Sequence, residues 1–368
     1  MSVLRINIVL FGIGNIGSAL IRQVVESQIF FLEKYGVELR FPIITSSSIA
    51  FFEKEDEINS WESNFTHVTI PFKVEEIIKY VKRKGLENLI AVDATNSSEL
   101  VRSYISLMKN GFNIVAANKT ANVVHHDFYT EIRRNLKRFD KEYLYESSIS
   151  PGLPIVNTLK DLHQSGERIT KIRGVFSNSL SYIFNRFGQE DLSFSTILTD
   201  AEKLGYTKSD SREDLTGTEV AEKLLILARE LGEKIELKDI QITSLLLPNL
   251  NKKNTKAEYN KNKKLLDEPY HIAKITQNKN HVLRYIGEFD MDNKTIEVKL
   301  VSEPIQSSLG QLKGAENLIE IHTETNGLNP IIIQGTSTGK EIAARALLKD
   351  ILKVSNRIKQ KEALLLYN

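Results

Sequence analysis

A doubly wound α/β domain followed by an α+β domain with a mostly antiparallel sheet is the fold the sequence predicts. Three observations point to it. The chain opens on an apolar strand, Ile6–Gly12, that runs directly into a glycine-rich turn and a helical segment, Asn15–Ser27. Strand-like and helix-like runs then alternate as far as Ile149, the pattern of a parallel sheet wrapped by helices. Beyond Ser150-Pro151-Gly152-Leu153-Pro154 that alternation stops, and strands follow one another across turns, as in an antiparallel sheet. At 368 residues two lobes are expected. The boundaries are drawn at 1–150, completed by a C-terminal helix in 336–368, and at 151–335.

The first turn reads Gly12-Ile13-Gly14-Asn15-Ile16-Gly17. Between a strand and a helix this motif has a mechanism. Gly12 permits the tight turn, Gly14 lets the backbone approach a pyrophosphate, and Gly17 lets the helix pack close to the strand. The open N–H groups of the helix N-terminus then face the phosphates. A second strand, Glu38–Thr45, ends in Thr45-Ser46-Ser47-Ser48, where an acid for a ribose 2′-OH is usual. No acid stands there. The choice between NAD and NADP stays open, with NADP favoured because nothing repels a 2′-phosphate.

A surface helix is expected over Ile70–Lys84 and a buried strand over Leu89–Ala94, closing on Asp93-Ala94-Thr95-Asn96-Ser97. Thr95 and Asn96 sit where ligands lie in such sheets, just past a strand's carboxyl end. Helix Glu99–Asn110 ends before Gly111, a plausible cap. Strand Asn113–Ala117 closes on Asn118-Lys119, and Lys119 is either a solvated charge or a group aimed into the crevice. Helix Asp127–Lys137 and strand Tyr143–Ile149 complete the lobe. In the second lobe helix Ile155–Gln164 precedes strands Arg168–Ser177, Val282–Asp290, Thr295–Ser302, Leu318–Thr323 and Pro330–Gln334. A helical excursion, Ser179–Asn280, contains helices Ser179–Phe187, Phe194–Leu204 and Thr218–Leu231. Helix Lys340–Lys353 returns to the first lobe.

Composition excludes several classes. Hydrophobic content of 41% and charged content of 26% are ordinary for a globular protein. The formal charge is +2, and the most basic run, Asn251–Lys264, reads as a solvated face, so no nucleic-acid partner is expected. No apolar run reaches the roughly 18 residues of a membrane span, and a cytoplasmic location is the default. The chain has no cysteine, which excludes disulfides, thiolate zinc sites and a thiol nucleophile.

Six ordered segments carry a resemblance to the homoserine dehydrogenases over nearly the whole chain. They are the FGIGNIG opening, Asp93-Ala94-Thr95, Ala117-Asn118-Lys119, Tyr145-Glu146 leading to Gly152-Leu153-Pro154, Gly174-Val175-Phe176-Ser177 with Leu180–Phe184, and Leu204-Gly205-Tyr206-Thr207 with Asp210, Asp214, Gly217 and Lys223. The chain resembles most the dehydrogenase half of fused aspartokinase–homoserine dehydrogenases. The resemblance implies reversible NAD(P)-dependent reduction of aspartate 4-semialdehyde to homoserine, in threonine and methionine biosynthesis. It implies Lys223 as proton donor to the carbonyl oxygen, Lys119 near the nicotinamide, and Glu219 as the carboxylate that orients Lys223. Two lysines brought close would lower each other's pKa toward the working range. Gly205, Tyr206, Lys208 and Asp214 fall at substrate positions, and Gly339 and Ala344 in the segment that touches the cofactor. The backbone carbonyls of Glu146, Ile149, Pro151 and Leu153 match a structural sodium site. A homodimer through the antiparallel sheet is the family expectation.

The departures from the family pattern cluster at this site. Lys208 replaces an acid that meets the substrate ammonium. Glu219 replaces an aspartate, Ser150-Pro151 a Gly-Ala, and Asn178-Ser179 a Gly-Thr or Gly-Ser. Taken without the family, Glu219 and Lys223 are an i,i+4 pair of a kind common on helix surfaces. Three readings follow: a homoserine dehydrogenase with a reshaped pocket, a dehydrogenase for another small semialdehyde or hydroxy acid, and a non-catalytic cofactor-binding relative.

Overall fold

The computed structural model describes residues 3–52, 69–250 and 255–366. It divides into two compact units, residues 1–152 with 339–368, and residues 153–338. The first four residues of the basic run Asn251–Lys264 lie outside the described residues.

Among the described residues, unit 1 is built on a seven-stranded sheet. Its strands are β1 (Leu4–Phe11), β2 (Val37–Thr45), β3 (Ile49–Phe52), β4 (Thr69–Pro71), β5 (Leu89–Asp93), β6 (Asn113–Ala116) and β7 (Tyr143–Leu144), in spatial order β4-β3-β2-β1-β5-β6-β7. From β2 through β7 the pairs β2–β1, β1–β5, β5–β6 and β6–β7 are parallel. The order reverses at β1, which sits between β2 and β5. A crevice therefore opens at the carboxyl ends of these strands.

Helices α1 (Asn15–Tyr35), α2 (Val74–Arg83), α3 (Ser98–Arg102), α4 (Tyr104–Lys109), α5 (Thr120–Val123) and α6 (His126–Phe139) connect the strands. Several expected boundaries move for local reasons. The segment read as helix from Ile70 begins as β4, and its helix starts at Val74. The serines after β2 do not simply end that strand. Ser46 Oγ accepts the N–H groups of Ser48 and Ile49, turning the chain back into antiparallel β3. The helix expected over Glu99–Asn110 is two helices, broken at Ser103. The strand expected over Tyr143–Ile149 stops at Leu144, and Glu146–Ser148 form a 3-10 turn. There the Glu146 N–H donates not to a sheet partner but to Asp350 Oδ2, at 3.1 Å.

Unit 2 opens with helix α7 (Ile155–Gln164) and continues through β8 (Ile169–Val175), α8 (Asn178–Gln189), α9 (Phe194–Lys203), α10 (Arg212–Leu215) and α11 (Thr218–Glu230). Then come β9 (Gln241–Ile242), α12 (Lys256–Asn262), α13 (Asp267–Thr276), β10 (His281–Asp290), β11 (Thr295–Pro304), β12 (Glu316–Thr323) and β13 (Ile331–Thr336). The six strands lie in the order β13-β12-β8-β10-β11-β9, all antiparallel except β9, which runs parallel to β11. The sheet is thus mixed, by one two-residue strand that the helical reading of Ser179–Asn280 passed over. Val220 and Leu224 of α11 lie over Gly287 of β10, where a side chain would collide with Leu224. That close approach seats α11 on the sheet. By alternation along the strands, Arg173 and Glu288 point to the opposite face, where Arg173 meets Glu288, Glu303 and Glu320.

The last helix, α14 (Lys340–Leu366), belongs to unit 1 and runs well past the expected Lys353. Ala344, Leu347, Leu348, Ile351 and Val354 pack into one core with Ile6, Ile8 and Leu10 of β1 and Leu20 and Val24 of α1. Its Asp350 is buried beside Glu146. Burial, and then the Glu146 charge, push its pKa up from 3.8 to about 6, against the pull of the Glu146 N–H, Lys353 and Lys349. The folded carboxyl thus holds its proton more tightly than the unfolded one. Its contribution to stability falls as pH rises from 3.8 to about 6 and stays lost above. Asp350→Asn keeps an acceptor for the Glu146 N–H. It is expected to stabilise the protein by about 2 kcal/mol at pH 8, with the gain vanishing below the unfolded carboxylate range. Thermal melts of both proteins at pH 4 and pH 8 check this.

Candidate active site

The glycine turn of unit 1 sits at the order reversal. Gly12 has φ +96°, and its N–H and that of Ile13 both donate to the Thr45 carbonyl, at 3.0 and 2.9 Å. A Cβ on Gly17 would fall well inside contact distance of the Gly12 carbonyl oxygen. Only hydrogen at that position allows α1 to start so close under the turn. Gly14 precedes α1, with no side-chain cap on the helix and open space around its Cα. The N-terminus of α1 therefore keeps donors for an anion.

A cavity of about 790 Å³ lies in front of this turn. It is lined by Gly12, Ile13 and Gly14, by Thr45, Ser46 and Ser47 from the end of β2, and by Thr95 and Asn96 after β5. Asn15, Ile16 and Gly17 continue from the lining as the first turn of α1. Lys73, just before α2, also lines the cavity and supplies a cation near Ser46 and Ser47. The sequence reading did not single out this lysine, which lies far along the chain from the two serines. Lys119 and Gly339 lie outside the lining among the described residues. Lys119 is half-buried at the start of α5, and Gly339, with φ +106°, is exposed just before α14.

One buried carboxylate organises the strand ends around the cavity. Asp93 accepts the Thr95 N–H and hydroxyl on Oδ1, at 2.8 and 2.7 Å. Its Oδ2 takes the Tyr104 hydroxyl at 2.7 Å and the Asn118 amide at 3.0 Å. Burial pushes the Asp93 pKa up, and the donors from Thr95, Tyr104 and Asn118 pull it part of the way back. The same group thus fixes the Thr95-Asn96 loop and the Asn118-Lys119 turn.

In unit 2 the amphipathic helix α11 carries Glu219 and Lys223 one turn apart. Lys223 is not a surface residue: its side chain is 8% exposed. Its Nζ donates to the Phe176 carbonyl at 2.7 Å and lies 3.3 Å from Glu219 Oε1. Phe176 and Ser177 follow the end of β8, so the strand end and the helix start together aim the ammonium group. Ser177 caps α8 through the Leu180 N–H and bonds to Ser179. Ser179 Oγ donates to Asp214 Oδ1 at 2.7 Å, and the Lys208 N–H donates to Oδ2 at 2.9 Å. Burial raises the Asp214 pKa, these two donors lower it, and Glu219 raises it again. Asn178 and Ser179 are therefore both built into the site. Asn178 bonds to Ala315 and Ser337, and Ser179 holds Asp214.

The loop that precedes α10 is exposed at Gly205, Tyr206 and Lys208. Tyr206 stacks on Tyr182 with ring centroids 4.1 Å apart. Lys208 is nonetheless ion-paired. Its Nζ is 3.3 Å from Glu219 Oε2 and 3.6 Å from Glu213. A network invisible to local spacing supports the loop from behind. Ser211 Oγ, buried, meets Glu202 and Tyr259, and Lys263 grips both Glu202 oxygens at 2.8 and 2.6 Å. Lys263 belongs to the run read as a solvated face, and it is buried instead. Lys263→Met strands the Glu202 carboxylate and is expected to cost about 2 to 3 kcal/mol. Faster hydrogen exchange of the amides of residues 203–215 is the local signature.

Comparison with known proteins places these two halves. A profile described as homoserine dehydrogenase matches residues 154–352, and one described as homoserine dehydrogenase, NAD binding domain, matches residues 12–146. The chain belongs to the homoserine dehydrogenase family. It is 33% identical over 355 residues to the bifunctional aspartokinase/homoserine dehydrogenase of Buchnera aphidicola, covering 95% of this chain and 42% of that protein. With the homoserine dehydrogenase of Paracoccidioides brasiliensis it shares 32% identity over 77% of this chain and 78% of that one. The chain thus spans about two fifths of the bifunctional relative. Among solved structures, a Candida auris protein of unknown function superposes with a TM-score of 0.88 at 29% identity, over 96% of this chain and 99% of that one. A hyperthermophilic archaeal homoserine dehydrogenase in complex with NADPH shares the fold, with a TM-score of 0.72 at 22% identity over 96% and 98% of the two chains. The chain thus joins a match to the family's NAD-binding domain with a match to its homoserine dehydrogenase model. Among the described residues no helix is long and apolar enough to cross a membrane.

Proposed function

We propose that this chain is an NADP-dependent homoserine dehydrogenase that interconverts L-homoserine and L-aspartate 4-semialdehyde. The observation that carries the reading is Lys223: an ammonium group buried at the foot of α11, held by a main-chain carbonyl and a carboxylate in a chain of this family. A group held so firmly suits proton transfer at one defined oxygen. In the reducing direction Lys223 gives its proton to the carbonyl oxygen of the semialdehyde. In the oxidising direction it takes the hydroxyl proton of homoserine. Glu219 and the Phe176 carbonyl orient it. Gly205, Tyr206 and Asp214 form the substrate side, with Lys208 in the same loop paired to Glu213 and Glu219.

The unit 1 cavity fits a dinucleotide, because the Gly12–Gly17 backbone leaves room and donors where side chains would fill the space. Gly12–Gly17 and Thr95-Asn96 would hold the pyrophosphate region, and Lys73 with Ser46 and Ser47 a 2′-phosphate. Lys119 and Gly339 complete the proposed cofactor contacts. When bound, the nicotinamide supplies or accepts the hydride. A sodium ion on the carbonyls of Glu146, Ile149, Pro151 and Leu153 belongs to the same reading. Those oxygens suit a hard cation, although the Leu153 oxygen already accepts the Ile155 N–H at 2.9 Å. The homodimer is assigned to the unit 2 sheet face that carries Arg173. A cytoplasmic location without nucleic-acid partners completes the proposal.

A matrix assay tests it: fresh semialdehyde with NADPH or NADH, and L-homoserine with either oxidised cofactor. Turnover with preference for NADP is expected. Absence of turnover in all four arms overturns the reading. A second reading, a substrate without an amino group, draws on Lys208, which already offers a cation to Glu213 and Glu219. Faster turnover of a des-amino semialdehyde than of aspartate semialdehyde would favour it.

A further inference from the structure

We propose that Lys208 is a positioning residue that tunes proton transfer by Lys223 through the carboxylate they share. The inference rests on the proposed role of Lys223 and goes beyond it. Glu219 presents Oε1 to Lys223 and Oε2 to Lys208, each at 3.3 Å. Two ammonium groups thus lie on either side of one carboxylate. The sequence reading sought a pKa-lowering neighbour for Lys223 in Lys119. Within unit 2 that neighbour is Lys208.

The surroundings keep the second cation in place. Its backbone N–H is tied to Asp214, and its Nζ also lies 3.6 Å from Glu213. Burial lowers the Lys208 pKa, but Glu219, Glu213 and Asp214 outweigh burial and leave it raised. Lys208 therefore stays charged through the neutral range, although nearly half of its side chain is exposed. Glu219, on the helix of Lys223, meets both lysines; Glu213 and Asp214 of α10 meet Lys208, and the Phe176 carbonyl after β8 meets Lys223. Asp214 is engaged by Ser179 and the Lys208 N–H, and Glu213 by Lys208. Glu219 faces two cations at once. A carboxylate divided in this way favours the charged form of each lysine less than an undivided one, and the two cations oppose each other. Removing the Lys208 charge should make Lys223 harder to deprotonate.

The consequence has a definite sign. Homoserine oxidation needs neutral Lys223, so its rate rises through the Lys223 titration. In Lys208→Met that limb is expected to move to higher pH by about 0.5 to 1 unit. Oxidation near neutral pH then falls about 3- to 10-fold and recovers at high pH. Lys208→Glu moves the limb further in the same direction, and Lys208→Arg leaves it near the parent. A purely structural role predicts a pH-independent loss instead.

The test combines pH–rate profiles of homoserine oxidation with direct titration of Lys223 by NMR of protein labelled with ¹³C at lysine Cε. Lys223→Met assigns the resonance. An upward move in Lys208→Met by both measures, reversed by arginine, is the expected result. A resonance that moves while the rate profile does not, or while no turnover is seen, supports the coupling and removes Lys223 as the proton-transferring group. A Lys223 titration that stays put or moves down in Lys208→Met overturns the proposal, whatever the activity.

Discussion

Lys223→Met is expected to lower turnover in both directions by about 10² to 10⁴-fold, the usual contribution of a placed acid or base. Methionine keeps most of the buried volume and loses only the charge. Its removal leaves the Phe176 carbonyl and Glu219 without that donor, so a stability cost of about 1 to 2 kcal/mol is expected beside the catalytic loss. Cofactor binding should be unchanged, because the glycine turn and the cavity belong to unit 1. The decisive comparison is therefore between steady-state turnover and NADPH affinity on one preparation. A variant that loses both equally would show damage to the whole protein. A variant that keeps more than about a tenth of the parent turnover would remove Lys223 from the chemistry. Glu219→Gln should show a smaller loss, because glutamine still has an oxygen for Lys223 and the Phe176 carbonyl remains.

The second large effect is expected at Gly17. The space that a Cβ would need is occupied by the Gly12 carbonyl oxygen. Gly17→Ala must therefore push α1 away from the turn or tilt it. Either movement displaces the helix N-terminus from the point where the phosphates would lie. A rise in the NADPH dissociation constant of about 100-fold is expected, equal to roughly 2.7 kcal/mol. Overpacking should cost a further 1 to 3 kcal/mol of stability. Titration of cofactor fluorescence and a thermal melt separate the two effects. Unaltered affinity would mean that the glycine turn is only a strand–helix connection.

Much of the fold was legible because its signals are local. The strand, glycine turn and helix at the start are consecutive, and the apolar positions of α11 repeat at helical spacing. The Glu219–Lys223 pair is an i,i+4 feature that any helix there would create. What escaped the sequence lies in contacts between distant segments or in turn chemistry. Ser46 looks like the end of a strand, yet its hydroxyl closes a hairpin and adds β3 and β4 to the sheet. Lys263 looks like one more surface lysine, yet it grips Glu202 from 61 residues away. Glu146 seems set to continue a strand, but its N–H turns to an aspartate 204 residues later. The pairing of Lys208 with Glu219 also depends on how the loop folds back over α11. Spacing alone gives no account of it.

The membership of α14 in unit 1 bears on the order in which the protein assembles. The apolar surfaces of β1 and α1 are closed by Ala344, Leu347, Ile351 and Val354. A chain emerging from the ribosome presents the first two elements long before it presents their cover. Residues 153–338, a contiguous and compact unit, are made in the interval. The nucleotide half then finishes last, although it begins first, and through that wait its nascent sheet bears an uncovered apolar face. The core of unit 1 can therefore close only after the whole of unit 2 has been made.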